Sequence, residues 1–259
     1  MCRWAAYLGE PIYLEDIITA PEQSLLRQSL HAQESKTETN GDGFGIAWYG
    51  DRPIPGVYRD ILPAWSDPNL SSIAHQVRAG CFLAHVRAST GTATSRSNCH
   101  PFTVGRWSFM HNGQIGGFPD FRRNADMLID SRHYAYRNGT TDSEALFLMA
   151  CSNGLSDDPK RALERATGQM EEMSRASGSA PHIRMTVAMS DGETLFAARY
   201  ATDQHAPSLY ISKDDTGPGR AIVSEPLGSD GRGWSEVPAG FFVTVTNGDV
   251  DISPFCPSS

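Results

Sequence analysis

The sequence lacks the features that mark membrane, nucleic-acid-binding and exported proteins. It contains no run of about eighteen apolar residues, so no segment is predicted to cross a bilayer. Lysine and arginine form only short pairs such as Arg122-Arg123, and the formal net charge is −8, so nucleic acid is not an expected partner. Acidic residues come before any apolar stretch of signal-peptide length. We therefore predict a soluble, cytoplasmic protein that binds neither membranes nor nucleic acids.

Disulfide and zinc signatures are also absent. The five cysteines form an odd set without CxxC spacing, which argues against a disulfide framework and against a zinc ribbon. One alternative is a metal site, whose ligands would be His85, Cys99, His100 and His111. These residues do not show the i, i+4 spacing of helical metal ligands, so we expect no metal. We also expect the thiols to be free and no cofactor to be bound.

The length and the pattern of secondary structure predict one domain. A chain of 259 residues can form one substantial core, and no repeat or linker interrupts it, so we predict a single domain over residues 1–259. Early strands are predicted at 2–8, 44–49, 81–88 and 107–114, and further strands from 182 onward. Helices are predicted at 21–33, near 70–78, from 141 to Gly154, and again over 157–176. This order predicts an α+β fold, a four-layer α/β/β/α sandwich of mainly antiparallel sheets.

Two local signals locate a helix start and a hairpin. Thr141 is followed three residues later by Glu144, which is the spacing of a capping box at the start of a helix. Asp191-Gly192 separates two apolar stretches and is typical of a β-hairpin turn. The first signal fixes a helix start at 142, and the second joins two neighbouring strands.

The second residue is a cysteine in a chain without an export signal. If Met1 is removed, Cys2 has both a thiol and a free α-amine on one carbon. The reference pKa of an α-amine is about 7.7–8.0, so this amine could accept the thiol proton without a separate histidine. The alternative is a small hydrophobic residue on the first strand.

Four motifs accompany Cys2, and together they carry a family resemblance. They are LAHVRAST (83–90), NCHPF (98–102), MHNGQI (110–115) and TTDSEAL (140–146). With Cys2 they resemble the class II glutamine amidotransferases, which are amino-terminal-nucleophile (Ntn) hydrolases with a catalytic cysteine. The resemblance covers about the first 150 residues, and the stretch from 223 to 245 is similar to the closing portion of stand-alone members. It implies the four-layer Ntn-hydrolase fold.

The resemblance assigns what we call the reacting end of the site to Cys2, Asn112 and Gly113. Cys2 would be the nucleophile, and the Asn112 amide and Gly113 N–H would donate to the oxyanion. Each such donor typically contributes about 2.7–4 kcal/mol to catalysis. The alternative for Asn112-Gly113 is a turn, because this dipeptide is a common hairpin signal.

We call the remaining positions the holding end of the site. Arg87 would bind the substrate α-carboxylate with two hydrogen bonds, Asp142 would bind the α-ammonium, and Thr90 and His100 would line or support the pocket. The alternative for Arg87 is a surface salt bridge. The alternative for Asp142 is an acidic residue favoured by the helix dipole. The glycine-rich stretch 42–45 is expected close to the active centre.

The implied activity is cleavage of the side-chain amide of glutamine, or of a γ-glutamyl compound, through a γ-glutamyl thioester on Cys2. The length leaves no room for an attached synthase domain, so a stand-alone amidohydrolase acting on a small molecule is expected. Two alternatives stay open. One is a glutaminase subunit that delivers ammonia to a separate synthase, and the other is a non-catalytic γ-glutamyl-binding module.

Overall fold

The computed structural model describes residues 2–31, 39–89, 93–213, 217–228 and 231–258. In chain order the strands are β1 (Arg3–Tyr13), β2 (Phe44–Tyr49), β3 (Gly56–Asp60), β4 (Arg78–Val86), β5 (Phe102–Val104), β6 (Trp107–Ile115), β7 (Ile183–Ser190), β8 (Thr194–Ala201), β9 (Tyr210–Ser212), β10 (Gly219–Val223), β11 (Trp234–Glu236), β12 (Phe241–Thr246) and β13 (Asp249–Pro254). The α-helices are α1 (Glu15–Ile18), α2 (Leu25–Leu30), α3 (Pro68–Gln76), α4 (Phe118–Met127), α5 (Ser131–Tyr134), α6 (Asp142–Ser152) and α7 (Pro159–Ala176).

The strands form two antiparallel sheets that pack face to face. The first sheet has seven strands in the order β11-β9-β10-β1-β4-β2-β3, and the second has six in the order β13-β12-β8-β7-β6-β5. Helices α1, α2 and α3 cover the first sheet, and α4, α6 and α7 cover the second. The predicted α/β/β/α sandwich is therefore confirmed. No helix in the described ranges combines the length and the apolar character needed to cross a bilayer.

Strand β1 is buried on both faces because it is the middle strand of the seven-stranded sheet. Ala5 and Tyr7 belong to the hydrophobic core beneath α1, α2 and α3. Trp4, Ala6 and Leu8 alternate with them and pack between the two sheets. A residue at position 2 shares the face of Trp4, so its side chain is directed toward the space between the sheets.

Helix α6 begins where the sequence predicts, but its cap differs from the predicted capping box. The Thr141 hydroxyl accepts the Glu144 N–H at 3.1 Å, as expected. The Glu144 carboxylate does not return to Thr141; it accepts the N–H groups of Asn138 and Gly139 at 3.1 and 2.8 Å. It also pairs with Arg137 at 2.7 Å. Glu144 therefore fastens the segment before the helix.

Other elements differ from the prediction in extent. The helix expected over 21–33 begins at Leu25, because Ser24 accepts the Arg27 N–H and caps it there; residues 32–33 lie outside the described residues. The Asp191-Gly192 hairpin between β7 and β8 is confirmed, and Gly192 has φ +93°. Helices α1, α4 and α5 and four short or edge strands were not predicted: β3, β5, β11 and β13.

Candidate active site

Cys2 lies immediately before β1 and beside the end of β4. Its Sγ is 3.4 Å from the Ala88 N–H nitrogen and 3.6 Å from the Ala88 carbonyl oxygen. The next residue, Arg3, is fully buried, pairs with Glu225 at 2.9 Å, and donates to the Cys2 carbonyl oxygen at 2.9 Å. The buried ion pair therefore fixes the backbone that carries the thiol.

The surroundings of Cys2 favour the neutral thiol. Burial raises the pKa of Cys2 above its usual value, and the Ala88 N–H and the positive charge of Arg87 only partly offset this effect. A protonated thiol is a weak nucleophile, so chemistry at this sulfur needs a nearby base.

Asn112 faces the first sheet from the middle of β6. It pairs with Thr186 of β7, whose hydroxyl accepts the Trp4 indole N–H at 3.3 Å. Directly opposed residues of an antiparallel pair share a face, so Asn112, like Cys2, is directed between the sheets. Asn112 is 1% exposed, and neither polar atom of its side chain has a hydrogen-bond partner among the residues that the structure describes. A buried unsatisfied amide is uncommon in folded proteins.

The hairpin alternative for Asn112-Gly113 is wrong. Both residues lie inside β6, where Gly113 pairs with Met185. Gly113 has φ +152°, and a side chain there would collide with the carbonyl oxygen of Arg184. Glycine is therefore required for backbone packing at this point of the strand.

Arg87 follows β4 and is held by loop residues. It is 3% exposed, so the surface salt-bridge alternative is wrong. One guanidinium nitrogen donates to the Asp42 carbonyl oxygen at 3.2 Å, and the other donates to the Ser89 hydroxyl at 3.2 Å and to the Ala93 carbonyl oxygen at 3.4 Å. The predicted pocket residue Thr90 lies in 90–92, outside the described residues.

The glycine-rich stretch 42–45 contacts the same loop, as the sequence predicts. The Asp42 N–H donates to the Arg87 carbonyl oxygen at 3.0 Å, and the Asp42 carboxylate accepts the Ser89 N–H at 2.7 Å. A side chain at Gly45 would collide with the His100 carbonyl oxygen. Glycine at 45 therefore allows the 99–100 segment to lie against β2.

His100 lies in a buried pair of histidines. Its ring centroid is 4.3 Å from that of His85 and 4.5 Å from that of Phe102. Burial lowers the pKa of His85 to about 3 and that of His100 well below its usual range, so both rings are neutral. His111 instead contacts α6, sharing a 2.7 Å hydrogen bond with Ser143. Within the described ranges, no group of three or more histidine, cysteine or acidic residues is arranged to hold a metal ion.

Asp142 joins the start of α6 to the end of β6. One carboxylate oxygen accepts the Ile115 N–H at 2.9 Å, and the other accepts the Ser143 N–H at 2.7 Å. The carboxylate therefore lies beside the strand that carries Asn112 and Gly113. The helix-dipole explanation and the ammonium-binding role both fit this position.

Sequence reasoning missed two contributors to this geometry. Arg3 and Glu225 were not singled out, although a charged residue in the apolar stretch after Cys2 requires a buried partner. Asn98 lay in a quoted motif but received no role, and it bonds both to Ala93 and to Thr140.

Comparison with known proteins identifies the family. The family model described as class-II glutamine amidotransferases matches residues 18–211. The chain belongs to the class II glutamine amidotransferases. The matched region begins after β1 and does not include Cys2.

Two curated relatives match this class II glutamine amidotransferase along nearly its whole length. The probable glutamine amidotransferase DUG3 of Saccharomyces cerevisiae is 30% identical, over 98% of this chain and 84% of the relative. The gamma-glutamyl-hercynylcysteine sulfoxide hydrolase of Mycolicibacterium smegmatis is 29% identical, over 98% of this chain and 100% of the relative.

Solved structures agree with this assignment. A glutamine aminotransferase class-II domain protein from Silicibacter pomeroyi is 46% identical, with a TM-score of 0.80 over 99% of this chain and 100% of its own. The glutamine phosphoribosylpyrophosphate amidotransferase of Bacillus subtilis is 14% identical, with a TM-score of 0.61 over 98% of this chain and 49% of its own. The second likeness shows the Ntn-hydrolase fold alone.

Proposed function

We propose that this class II glutamine amidotransferase hydrolyses the side-chain amide of glutamine or of a γ-glutamyl compound, with Cys2 as the nucleophile. One observation carries the proposal: the buried, unsatisfied amide of Asn112 is directed from β6 toward the same space between the sheets as the Cys2 side chain. An unpaired donor near a thiol suits an oxyanion that forms only after attack.

The reaction begins with proton transfer within Cys2. After removal of Met1, the free α-amine takes the thiol proton, and the thiolate attacks the amide carbon of the substrate. The Asn112 amide and the Gly113 N–H donate to the resulting oxyanion. The α-ammonium then protonates the leaving nitrogen, which departs as ammonia or an amine and leaves a γ-glutamyl thioester. Water, deprotonated by the same amine, releases glutamate and restores the thiol.

The holding end orients the part of the substrate that does not react. Arg87 presents a planar guanidinium to the α-carboxylate, and Asp142 presents a carboxylate to the α-ammonium. Thr90 and His100 support the pocket; because His100 is neutral, it contributes shape rather than charge. The residues act within a single domain over 1–259, in the cytoplasm, without a metal or cofactor.

A small γ-glutamyl metabolite is the favoured substrate. The mycobacterial relative, whose whole length is matched, is named as a hydrolase of a γ-glutamyl compound. Hydrolysis of such a compound needs no ammonia acceptor, so no synthase partner is required. Release of ammonia from glutamine that depends on a separate synthase would instead identify a glutaminase subunit.

The decisive experiment is intact mass measurement with a glutamine-mimicking diazoketone. Active protein should lack Met1 and carry one label on Cys2. The Cys2→Ala variant should lose both labelling and hydrolysis while keeping its melting temperature. Cys256→Ala, which alters an exposed thiol, is the matched control and should behave as wild type. Labelling at Cys81 or Cys99, or full activity with Met1 retained, would contradict the proposal.

Substrate comparison then separates the enzyme classes. Purified protein alone should hydrolyse L-γ-glutamyl anilides and peptides, with release of glutamate, faster than it hydrolyses glutamine. The reverse preference favours the glutaminase subunit. Binding of glutamate without Cys2-dependent turnover of any of these compounds would indicate a γ-glutamyl-binding module.

A further inference from the structure

Asn98 connects the two segments that carry the holding end. It is 1% exposed and lies in the short turn before His100. Its Nδ2 donates to the Ala93 carbonyl oxygen at 2.8 Å, and its Oδ1 accepts the Thr140 N–H at 2.8 Å. One buried amide therefore bonds to two segments that are far apart in sequence.

Each segment leads directly to a proposed substrate-binding group. The Ala93 carbonyl oxygen that Asn98 binds also accepts the Arg87 guanidinium at 3.4 Å. Thr140 stands two residues before Asp142, and its hydroxyl is 3.1 Å from the Asn98 Nδ2. A shift of Asn98 would therefore move the supports of both the carboxylate-binding and the ammonium-binding residue.

The segment before α6 has little freedom to adjust. A side chain on Gly139 would come within 2.6 Å of the Asn98 Oδ1 and 3.0 Å of a Glu144 carboxylate oxygen. Glu144 also accepts the Gly139 N–H at 2.8 Å. The segment before α6 is thus held by both Asn98 and Glu144.

We propose that Asn98 is a positioning residue that sets the separation between Arg87 and Asp142. It thereby favours substrates that carry a carboxylate and an ammonium group on the same carbon. The inference rests on the proposed function for the roles of Arg87 and Asp142. An amide suits the position because it donates and accepts at once, whereas a carboxylate can only accept.

The test compares three chromogenic anilides. They are L-γ-glutamyl p-nitroanilide, glutaryl p-nitroanilide, which lacks the ammonium group, and 4-aminobutyryl p-nitroanilide, which lacks the carboxylate. In Asn98→Ala, KM for the complete substrate should rise about tenfold or more, the scale of a lost buried hydrogen bond, with kcat nearly unchanged. The truncated substrates should be affected less, so selectivity for the complete substrate should fall about tenfold. A merely structural residue would weaken all three alike.

Two further variants sharpen the test. Asn98→Asp keeps the acceptor for Thr140 but loses the donor to Ala93, so it should give an intermediate loss of selectivity. Asn153→Ala is the control, because Asn153 bonds to Gln169 at the other end of α6 and should leave selectivity unchanged. Hydrogen exchange provides a structural readout: the Thr140 amide should exchange faster in Asn98→Ala than in wild type or Asn153→Ala.

The two proposals fail in distinguishable ways. Cys2-dependent hydrolysis by wild type, with unchanged selectivity in Asn98→Ala, would overturn the positioning role and leave the proposed function standing. Absence of Cys2-dependent hydrolysis in wild type would overturn the proposed function and this inference with it.

Discussion

The reacting and holding ends of the site are built from different kinds of structure. Asn112 and Gly113 lie within the regular strand β6, and their register is fixed by the ladder with β7. Arg87 follows the end of its strand and is positioned by loop atoms such as the Asp42 and Ala93 carbonyl oxygens. The reacting end thus includes a part of β6 whose register is fixed by the sheet, and it leaves the Asn112 amide unsatisfied among the described residues. The holding end combines the start of α6, which carries Asp142, with loop atoms that already accept hydrogen bonds from the Arg87 guanidinium.

This difference separates the energetic roles of the two ends. An unsatisfied buried amide destabilises the fold by about 1–3 kcal/mol, but it meets a developing oxyanion without reorganisation. In the proposed mechanism, a substrate carboxylate at the holding end would share Arg87 with acceptors that are already present. Changes at the reacting end should therefore act on kcat, and changes at the holding end should act on KM.

The largest effect after loss of Cys2 is expected at Asn112. Asn112→Ala should lower kcat by about a hundred- to a thousandfold, the usual scale for one lost oxyanion donor, with KM nearly unchanged. The melting temperature should not fall, because no protein hydrogen bond is lost among the described residues. Single-turnover thioester formation and thermal unfolding on the same samples measure both. A near-normal rate of thioester formation would contradict the assignment of Asn112 to the oxyanion hole.

A smaller effect, on binding, is expected at Arg87. Arg87→Lys should raise KM by about ten- to a hundredfold, because an ammonium group cannot reproduce the two-pronged contact with a carboxylate. Steady-state kinetics with a γ-glutamyl anilide measures the change, and Arg78→Lys at an exposed position is the control. An unchanged KM with a reduced kcat would reverse the assignment of this end.

Asp142→Asn should raise KM for γ-glutamyl substrates by about tenfold, the scale of one lost charge-assisted hydrogen bond. It should not affect a glutaryl substrate, because that substrate has no ammonium group to bind. Asp120→Asn is a matched control, since Asp120 occupies the first turn of α4 and shares the helix-dipole effect. Equal effects of both variants, on both substrates, would favour the helix-dipole explanation.

The last effect concerns stability rather than catalysis, and it involves the buried histidines behind the site. His85 has a pKa of about 3 in the folded protein and about 6.5 when unfolded, so the unfolded state binds more protons between these values. Protonation of His85 in the unfolded state therefore lowers the free energy of unfolding as the pH falls below about 6.5. The expected decrease is about 2 kcal/mol between pH 7 and pH 5. Urea unfolding at pH 7 and pH 5 should show that the free energy of unfolding depends less on pH in His85→Gln than in wild type. The exposed His75→Gln variant should keep the wild-type dependence.

Local signals in the sequence predicted local structure well. The Thr141 cap and the Asp191-Gly192 hairpin each depend on neighbours a few residues apart, and both are confirmed. The motifs also placed the site residues on strand ends and a helix start. The sequence did not decide whether Asn112-Gly113 forms a hairpin turn or lies inside a strand, because the dipeptide occurs in both. Only the pairing of β6 with β7 decides between them.

Long-range contacts account for the features that sequence reasoning missed. Arg3 and Glu225 are 222 residues apart, and Asn98 and Thr140 are 42 apart. No local pattern specifies such partners. Helix α4 was missed for a different reason: only Phe118, Phe121 and Ala125 are buried on it, and the rest of its sequence is polar enough to resemble a loop.

The central position of β1 in its sheet also affects how the chain folds during synthesis. The ribosome makes this apolar strand about 220 residues before Ser224, whose hydroxyl accepts the Trp4 N–H, and β10 is made just before Ser224. Until then one side of the strand has no neighbour, and the newly made chain must be protected from association with other chains. Arg3 likewise cannot form its buried ion pair until Glu225 has been made. The backbone around the proposed nucleophile, Cys2, can therefore take its final position only after residues 219–225 have been made.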